Sequence, residues 1–313
     1  MHQGRIRRLT EELNEISPSI LVGVSEPEAL VEELSYALRP LIHERRVPNY
    51  GAVVGPATDL PQWADAAGFD VSRRRVDDLR DETVRRFADG IVSWAVRRRH
   101  DISDLAVFDR SVGSERDLTI VAAAADAAIV QRHPSGTVRA VGSFGVLRYD
   151  GIDWHLVPPV KQWFDVDATE TATFEPLLLD HFLRFAVHDV AARGVGTMFV
   201  LSTGAKLAAG AERRFGTPPE LTIDRPADLA PLYHILGQLD GAAVFDETGV
   251  LRHLGVRLVP SLEAESTVEA YRGTRHTSAL RYSYDDPSAL LIVVSEDGPV
   301  SVVHAGALVG HSG

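Results

Sequence analysis

Residues 273–296 read GTRHTSALRYSYDDPSALLIVVSE. Gly273 and five polar residues open a mixed run that predicts a short helix over 274–284. The unbroken apolar run 290–294 predicts a buried strand. Ser295-Glu296-Asp297-Gly298 then turns the chain into a last strand at 300–304. Working outward, 242–245 and 251–259 are strands joined across Glu247-Thr248-Gly249, and a helix over 229–239 runs into Asp240-Gly241. The apolar run 197–201 is a second buried strand. An amphipathic helix over 177–193 carries Leu178, His181, Phe182, Phe185 and Val190 on one face and is stopped by Gly194 and Gly196. Helices alternating with strands of a mixed sheet make the C-terminal half an α/β domain, a central β-sheet flanked by helices.

The N-terminal half reads as an α+β domain. Residues 20–24 suggest an apolar strand. Ser25 and Glu28 form a capping box, with Pro27 in the first turn of a helix whose stripe is Leu30, Leu34, Leu38, Leu41 and Ile42, ended by Pro48 and Gly51. A second helix is expected over 76–99, with Val84, Phe87, Ile91 and Trp94 on one face. Its terminal Arg97-Arg98-Arg99-His100 suits a solvated helix end better than an anion patch. Short strands at 119–121, 128–130, 138–141, 146–149 and 154–157 form a meander. The expected division is 1–165 for the first domain and 174–313 for the second, with an acidic, Thr-rich linker at 165–173.

The 313 residues carry a net charge of -12, which repels a phosphate backbone and argues against general nucleic-acid binding. A nucleotide pocket needs only a few local donors and is not excluded. Without cysteine there is no disulfide framework, thiolate nucleophile or Cys-ligated metal. Lys161 and Lys206 are the only lysines, a bias that fits a GC-rich genome. No stretch approaches the ~20 apolar residues of a spanning helix; the best, 120–130, is interrupted by Asp126. The basic first residues lead into Glu11, Glu12 and Glu15 and not into an apolar core, so no signal peptide is read. The expectation is a cytoplasmic protein with no membrane partner.

Two segments carry candidate chemistry. Asp240 stands at a helix-to-strand junction, and the small Gly241 and Ala242 leave the backbone open to a ligand, although Asp-Gly is also a common turn. Gly273 opens a helix whose first N–H groups and positive dipole end suit a phosphate. Arg275 adds a forked donor, and Thr274, Thr277 and Ser278 add hydroxyls. His276 by itself reads more readily as a packed core residue. Ser295 could donate to a phosphate and Glu296 could help hold a divalent ion, at what is otherwise a hairpin turn.

Asp-Gly-Ala at 240–242, Leu-Val-Pro at 258–260, Gly-Thr-Arg-His at 273–276 and a strand ending Val-Ser-Glu at 294–296 together resemble the diadenylate cyclase domain of the DisA type, over about 174–304. The first half looks like a sensor-type N-terminal domain of other cyclase-domain proteins. The resemblance implies condensation of two ATP into cyclic di-AMP with release of pyrophosphate, dependent on Mg²⁺ or Mn²⁺, across two domains that meet face to face in a dimer or higher oligomer. It implies that Asp240 binds metal and helps activate the 3′-hydroxyl. Gly241, Ala242 and Leu258 would line the nucleotide site, and Gly273, Thr274, Arg275, His276, Thr277 and Ser278 would hold the triphosphate. Arg275 and His276 would act with Asp240 in catalysis, while Ser295 and Glu296 complete the phosphate and metal contacts. Two positions depart from the family pattern: Thr277 replaces an arginine, and Leu239 a frequent histidine. Arg272 or Arg281 could supply the missing donor, and an arginine restored at 277 is expected not to lower activity. The alternative is a catalytically weak or inactive sensor that binds ATP or cyclic di-AMP.

Overall fold

The computed structural model describes residues 3–42, 45, 47–76, 79–99, 101–165, 174–207 and 211–313. The expected linker, apart from Asp165, lies outside the described residues, as does His100. The chain divides into two compact units, Met1–Pro159 and Val160–Gly313. Each is built on a mixed sheet. Among the described residues, no helix is long and apolar enough to cross a membrane.

In the first unit the chain runs through α1 (Gln3–Ile16), α2 (Ser19–Val22), α3 (Pro27–Leu38), β1 (Tyr50–Val54), α4 (Leu60–Ala67), β2 (Val71–Arg75), α5 (Asp81–Phe87), β3 (Ser93–Arg98) and β4 (Asp101–Phe108). It continues through α6 (Glu115–Ala125), β5 (Ala128–Arg132), β6 (Val138–Gly142), β7 (Gly145–Tyr149) and β8 (Trp154–Val157). The strands form an eight-stranded sheet in the order β2-β4-β3-β1-β5-β6-β7-β8. β1 and β3 are parallel and the remaining pairs antiparallel. One face packs Leu13, Leu30, Leu34 and Val84 against Tyr50, Ala52 and Val130. The other packs Trp63, Leu118 and Val121 against Val53, Trp94 and Ile129.

Several expectations for this half are corrected. Residues 20–24 hold not a strand but the short helix α2, which buries Ile20. The Ser25 hydroxyl does not cap α3. It donates to the Gly55 carbonyl at 3.0 Å, and α3 ends at Leu38, leaving Leu41 and Ile42 exposed beyond it. The long helix over 76–99 is broken into α5 and β3. Asp89 Oδ1 accepts from the N–H groups of Ile91, Val92 and Ser93 at 2.8–2.9 Å, and Gly90 turns at φ +69. This local ring of bonds offers the backbone an alternative to helix. Residues 119–121 belong to α6, where Leu118, Val121, Ala122 and Ala125 recur at helical spacing behind a Ser114 cap. The meander of β5 to β8 forms as expected.

The arginine run is not a helix end. Arg97 is buried on β3 beside Glu33 of α3, which is fully buried. Glu33 accepts from Arg85 at 2.7 and 3.1 Å, from Arg97 at 3.0 Å and from the Tyr50 hydroxyl at 2.5 Å. Burial, then the Glu33 carboxylate, push the Tyr50 hydroxyl well above its ordinary range, so it stays a donor.

In the second unit a 3₁₀ turn, Val160–Gln162, precedes α7 (Pro176–Phe185), which runs on as a π turn, Ala186–Val190, and a 3₁₀ turn, Ala191–Arg193. Then come β9 (Thr197–Leu201), α8 (Pro226–Leu236), β10 (Ala242–Phe245), β11 (Leu251–Val256), α9 (Leu262–Thr267), α10 (Thr274–Asp285), β12 (Leu290–Val294), β13 (Val300–His304) and β14 (Ala307–His311). Their order in the sheet is β11-β10-β9-β12-β13-β14. β9 and β10 run parallel; β12 runs against β9. Met198, Val200, Val244 and Val293 pack under α10 with Ala279, Leu280 and Tyr282. On the opposite face Phe199 and Phe245 meet Phe182 of α7 at 6.3 and 4.9 Å between ring centres. α9 and β14 were not read in the sequence.

Replacing Glu33 with Gln strips the charge that balances two buried guanidinium groups. The N-terminal unit is expected to lose about 3–5 kcal/mol of stability, read by chemical denaturation. A loss below about 1 kcal/mol would show that the cluster does not hold this core.

Candidate functional site

Register places the site. Met198 of β9 pairs with Ala242 on one side and Val293 on the other, and Thr197 pairs with Val294. Because β10 is parallel to β9 and β12 is antiparallel, one edge of the sheet gathers the start of β9, the start of β10 and the end of β12. Gly196, Asp240 and Glu296 lie just beyond those ends. Only β12 presents its carboxyl end at this edge; β9 and β10 present their amino ends.

A cleft of about 270 Å³ opens at this edge, lined by Gly194 to Gly196, Leu236 to Asp240, Arg275 and Glu296. Arg275, in the first turn of α10, lies 3.4 Å from Glu296 through Nη2 and Oε1, and the two side chains are 40% and 68% exposed. Both can therefore turn to a ligand. A glycine at 196 is what lets this pair lie over the start of β9: a Cβ there would stand 2.3 Å from Arg275 Nη1 and 2.8 Å from Glu296 Cγ. Gly241 turns at φ +99, and a Cβ on it would meet Gly255 at 2.8 Å, so only glycine fits between Asp240 and β10.

Of the residues singled out in the sequence, Asp240, Arg275 and Glu296 share the cleft wall. The others surround it. Ala242 is fully buried at the start of β10, and Leu258 is buried in the core beneath α10. Gly273 is the N-cap of α10 and supplies no side-chain bond, and Thr274 follows it, exposed. Ser278 is half-buried in the same helix. Ser295 closes the β12–β13 turn, its N–H bonded to the Pro299 carbonyl at 3.0 Å. His276 is buried, 3.1 Å from Ser301 Oγ on β13 and edge-on to Tyr271. Thr277 bonds to the backbone of Tyr271. Neither arginine considered as a substitute donor lines the cleft: Arg272 Nη1 meets His311 Nε2 at 2.5 Å, and Arg281 donates to the Val268 and Glu265 carbonyls. Sequence reasoning missed Gly194, Gly196 and Gly237 as parts of the wall. The closely spaced glycines ahead of a buried strand were the available signal.

No group of three or more His, Asp or Glu side chains that could hold a metal occurs among the described residues. Asp240 and Glu296 are two carboxylates on one cleft. That donor set suits Mg²⁺ or Mn²⁺ only in the way Mg²⁺ is commonly bound, with phosphates and water completing the shell.

His276, His311 and His253 of this unit favour the neutral ring. Burial lowers the pKa of His276, helped by Arg272, His311 and Arg275, and burial followed by Arg272 lowers that of His311. His253 is lowered by burial and then by Arg213. The unfolded chain binds protons at the ordinary histidine value of ~6.5 while the fold resists them. Their stabilising contribution is therefore whole above ~6.5 and is lost as pH falls through the lower folded values. The melting temperature is expected to fall as pH drops below about 6.5, more shallowly in His276→Gln. A flat melting profile across that window would contradict the buried placement of these rings.

Residues 184–308 match the family model described as "DisA bacterial checkpoint controller nucleotide-binding", DAC. Residues 7–157 match "Probable sensor domain DACNK". No match is found among the curated proteins. Among solved structures, one titled as a hypothetical membrane spanning protein from Bacillus cereus is 25% identical, with a TM-score of 0.34. That match covers 42% of this chain and 62% of the other, so this chain spans less than two thirds of it. The chain is thus a DAC-domain protein, its DisA-type nucleotide-binding domain preceded by a sensor-like domain of the DACNK type.

Proposed function

We propose that this chain is a diadenylate cyclase that joins two ATP into cyclic di-AMP and two pyrophosphates. The observation that carries the reading is the convergence of Asp240, Arg275 and Glu296 on one cleft of a DAC domain. The first-turn N–H groups of α10 have no side-chain cap at Gly273, which leaves them available to triphosphate oxygens. Arg275 adds a charged donor beside them. Asp240 stands across the cleft as the group to take the proton of the 3′-hydroxyl. That oxygen attacks the α-phosphorus of a second ATP, the bond from the α-phosphorus to the bridging oxygen breaks, and pyrophosphate leaves; the same exchange in the opposite sense closes the ring. A Mg²⁺ or Mn²⁺ held by Asp240 and Glu296 with the phosphates would neutralise charge as it builds on their oxygens. Each domain brings one ATP, so two clefts must face each other in a dimer or larger assembly.

The second reading is a catalytically weak or inactive binder of ATP or cyclic di-AMP. Two observations favour it: among the described residues Arg275 is the one guanidinium in the cleft wall, and position 277 carries no charge.

Purified protein with ATP and Mn²⁺ or Mg²⁺ is expected to yield cyclic di-AMP on chromatography. ATP that binds without conversion at high protein concentration would favour the second reading. Asp240→Asn is expected to lower turnover by at least about 10²-fold while ATP still binds by calorimetry; normal cyclisation by this variant would remove Asp240 from the role given to it. Gly196→Ala is expected to raise KM for ATP by about tenfold, since it displaces a charged donor of a kind worth roughly 1.5–3 kcal/mol. An unchanged KM would mean that Arg275 does not bind phosphate from where it stands.

A further inference from the structure

Position 277 is where the family resemblance expects an arginine, and the threonine found there is fully engaged. Thr277 Oγ1 accepts from the Tyr271 N–H at 3.1 Å and donates to the Tyr271 carbonyl at 3.2 Å. One hydroxyl thus satisfies both backbone groups of a residue six positions earlier. It ties the turn Tyr271-Arg272-Gly273 to the first turn of α10.

The turn needs such a tie. Arg272 sits at φ +52, a left-handed conformation that a side chain with a Cβ rarely adopts. Gly273 provides no side-chain cap, and the Thr277 N–H to Gly273 carbonyl bond, 3.1 Å, is the first of the helix. The side chains around the turn form a brace. The Arg272 guanidinium lies 5.4 Å over the Tyr271 ring and reaches His311 of β14. Tyr271 meets His276 edge-on, and His276 meets Ser301 of β13. Within the helix tip, Arg275 is left to project into the cleft wall.

We propose that Thr277 is a positioning residue that holds the 271–273 turn so that Arg275 and the first-turn N–H groups of α10 stand ready for triphosphate. The arginine of the family pattern is therefore incompatible with this turn and not merely missing from it. An arginine only donates, so it could replace the bond to the Tyr271 carbonyl but could not accept from the Tyr271 N–H. Serine keeps both bonds; valine, with the shape of threonine, keeps neither. The geometry thus points opposite to the expectation that arginine at 277 would be harmless. The inference rests on reading α10 as the triphosphate cradle.

The test compares Thr277→Ser, Thr277→Val and Thr277→Arg in the full-length protein. Hydrogen exchange at the Tyr271 amide, read without nucleotide, is expected to stay slow in the serine variant and become fast in the other two. Affinity for ATP by calorimetry, and KM where turnover is measured, is expected to weaken about tenfold in the valine and arginine variants. In those variants kcat should change less than about threefold, and serine should restore the wild-type values. Unchanged Tyr271 exchange in Thr277→Val overturns the proposal. So does ATP binding in Thr277→Arg as tight as wild type, or a loss confined to kcat. Failure of the underlying functional reading looks different: the wild-type protein would itself bind no ATP, and the proposal would fall with it.

Discussion

The two neighbours of β9 run in opposite senses, and the site exists because of that. A sheet that was parallel throughout this region would send the end of β12 to the far edge, carrying Glu296 away from Asp240. The pairing Met198 to Ala242 and Met198 to Val293 brings both carboxylates to one rim. α10, packed across the same strands through Ala279, Leu280 and Tyr282, then delivers Arg275 to that rim. The positions of the charged groups follow from register, and register is held by different partners on the two faces of β9: Met198 and Val200 lie under α10, and Phe199 packs against the aromatic side chains of α7.

The same doubly buried strands were the legible part of the sequence. Runs such as 198–201, 242–245 and 290–294 are apolar throughout because helices cover both faces, and they read without ambiguity. The start of α10 read from its polar first turn after a glycine. β14 did not: its residues are mostly exposed or half-buried at the sheet edge, so it lacks an apolar run. In the first unit the failures have local causes. A single carboxylate, Asp89, collecting three N–H groups turned what looked like one long helix into a helix and a strand. In α6 residues 119–121 looked like a strand because a short run does not reveal its period.

For the candidate site, the sequence supplied the three side chains on the cleft wall but not the task of their neighbours. His276 and Thr277 look like ligand-facing residues in a motif, yet both are tied to protein, one to Ser301 and the other to Tyr271. Nothing in the residue types distinguishes a hydroxyl that meets phosphate from one that meets backbone. Gly194 and Gly196 were legible as a helix stop, while the second use of Gly196, leaving space for a guanidinium, depends on α10, a helix much later in the chain.

Gly255 carries a wider consequence. It turns at φ +61, and the point where its Cβ would stand is 2.4 Å from Phe215 and 3.3 Å from the Asp240 carbonyl oxygen. A residue on an outer strand, fifteen positions downstream in the chain, therefore governs the backbone from which the cleft carboxylate hangs. A screen for variants that disturb the cleft would therefore recover Gly255 beside residues with which it shares no chemical property.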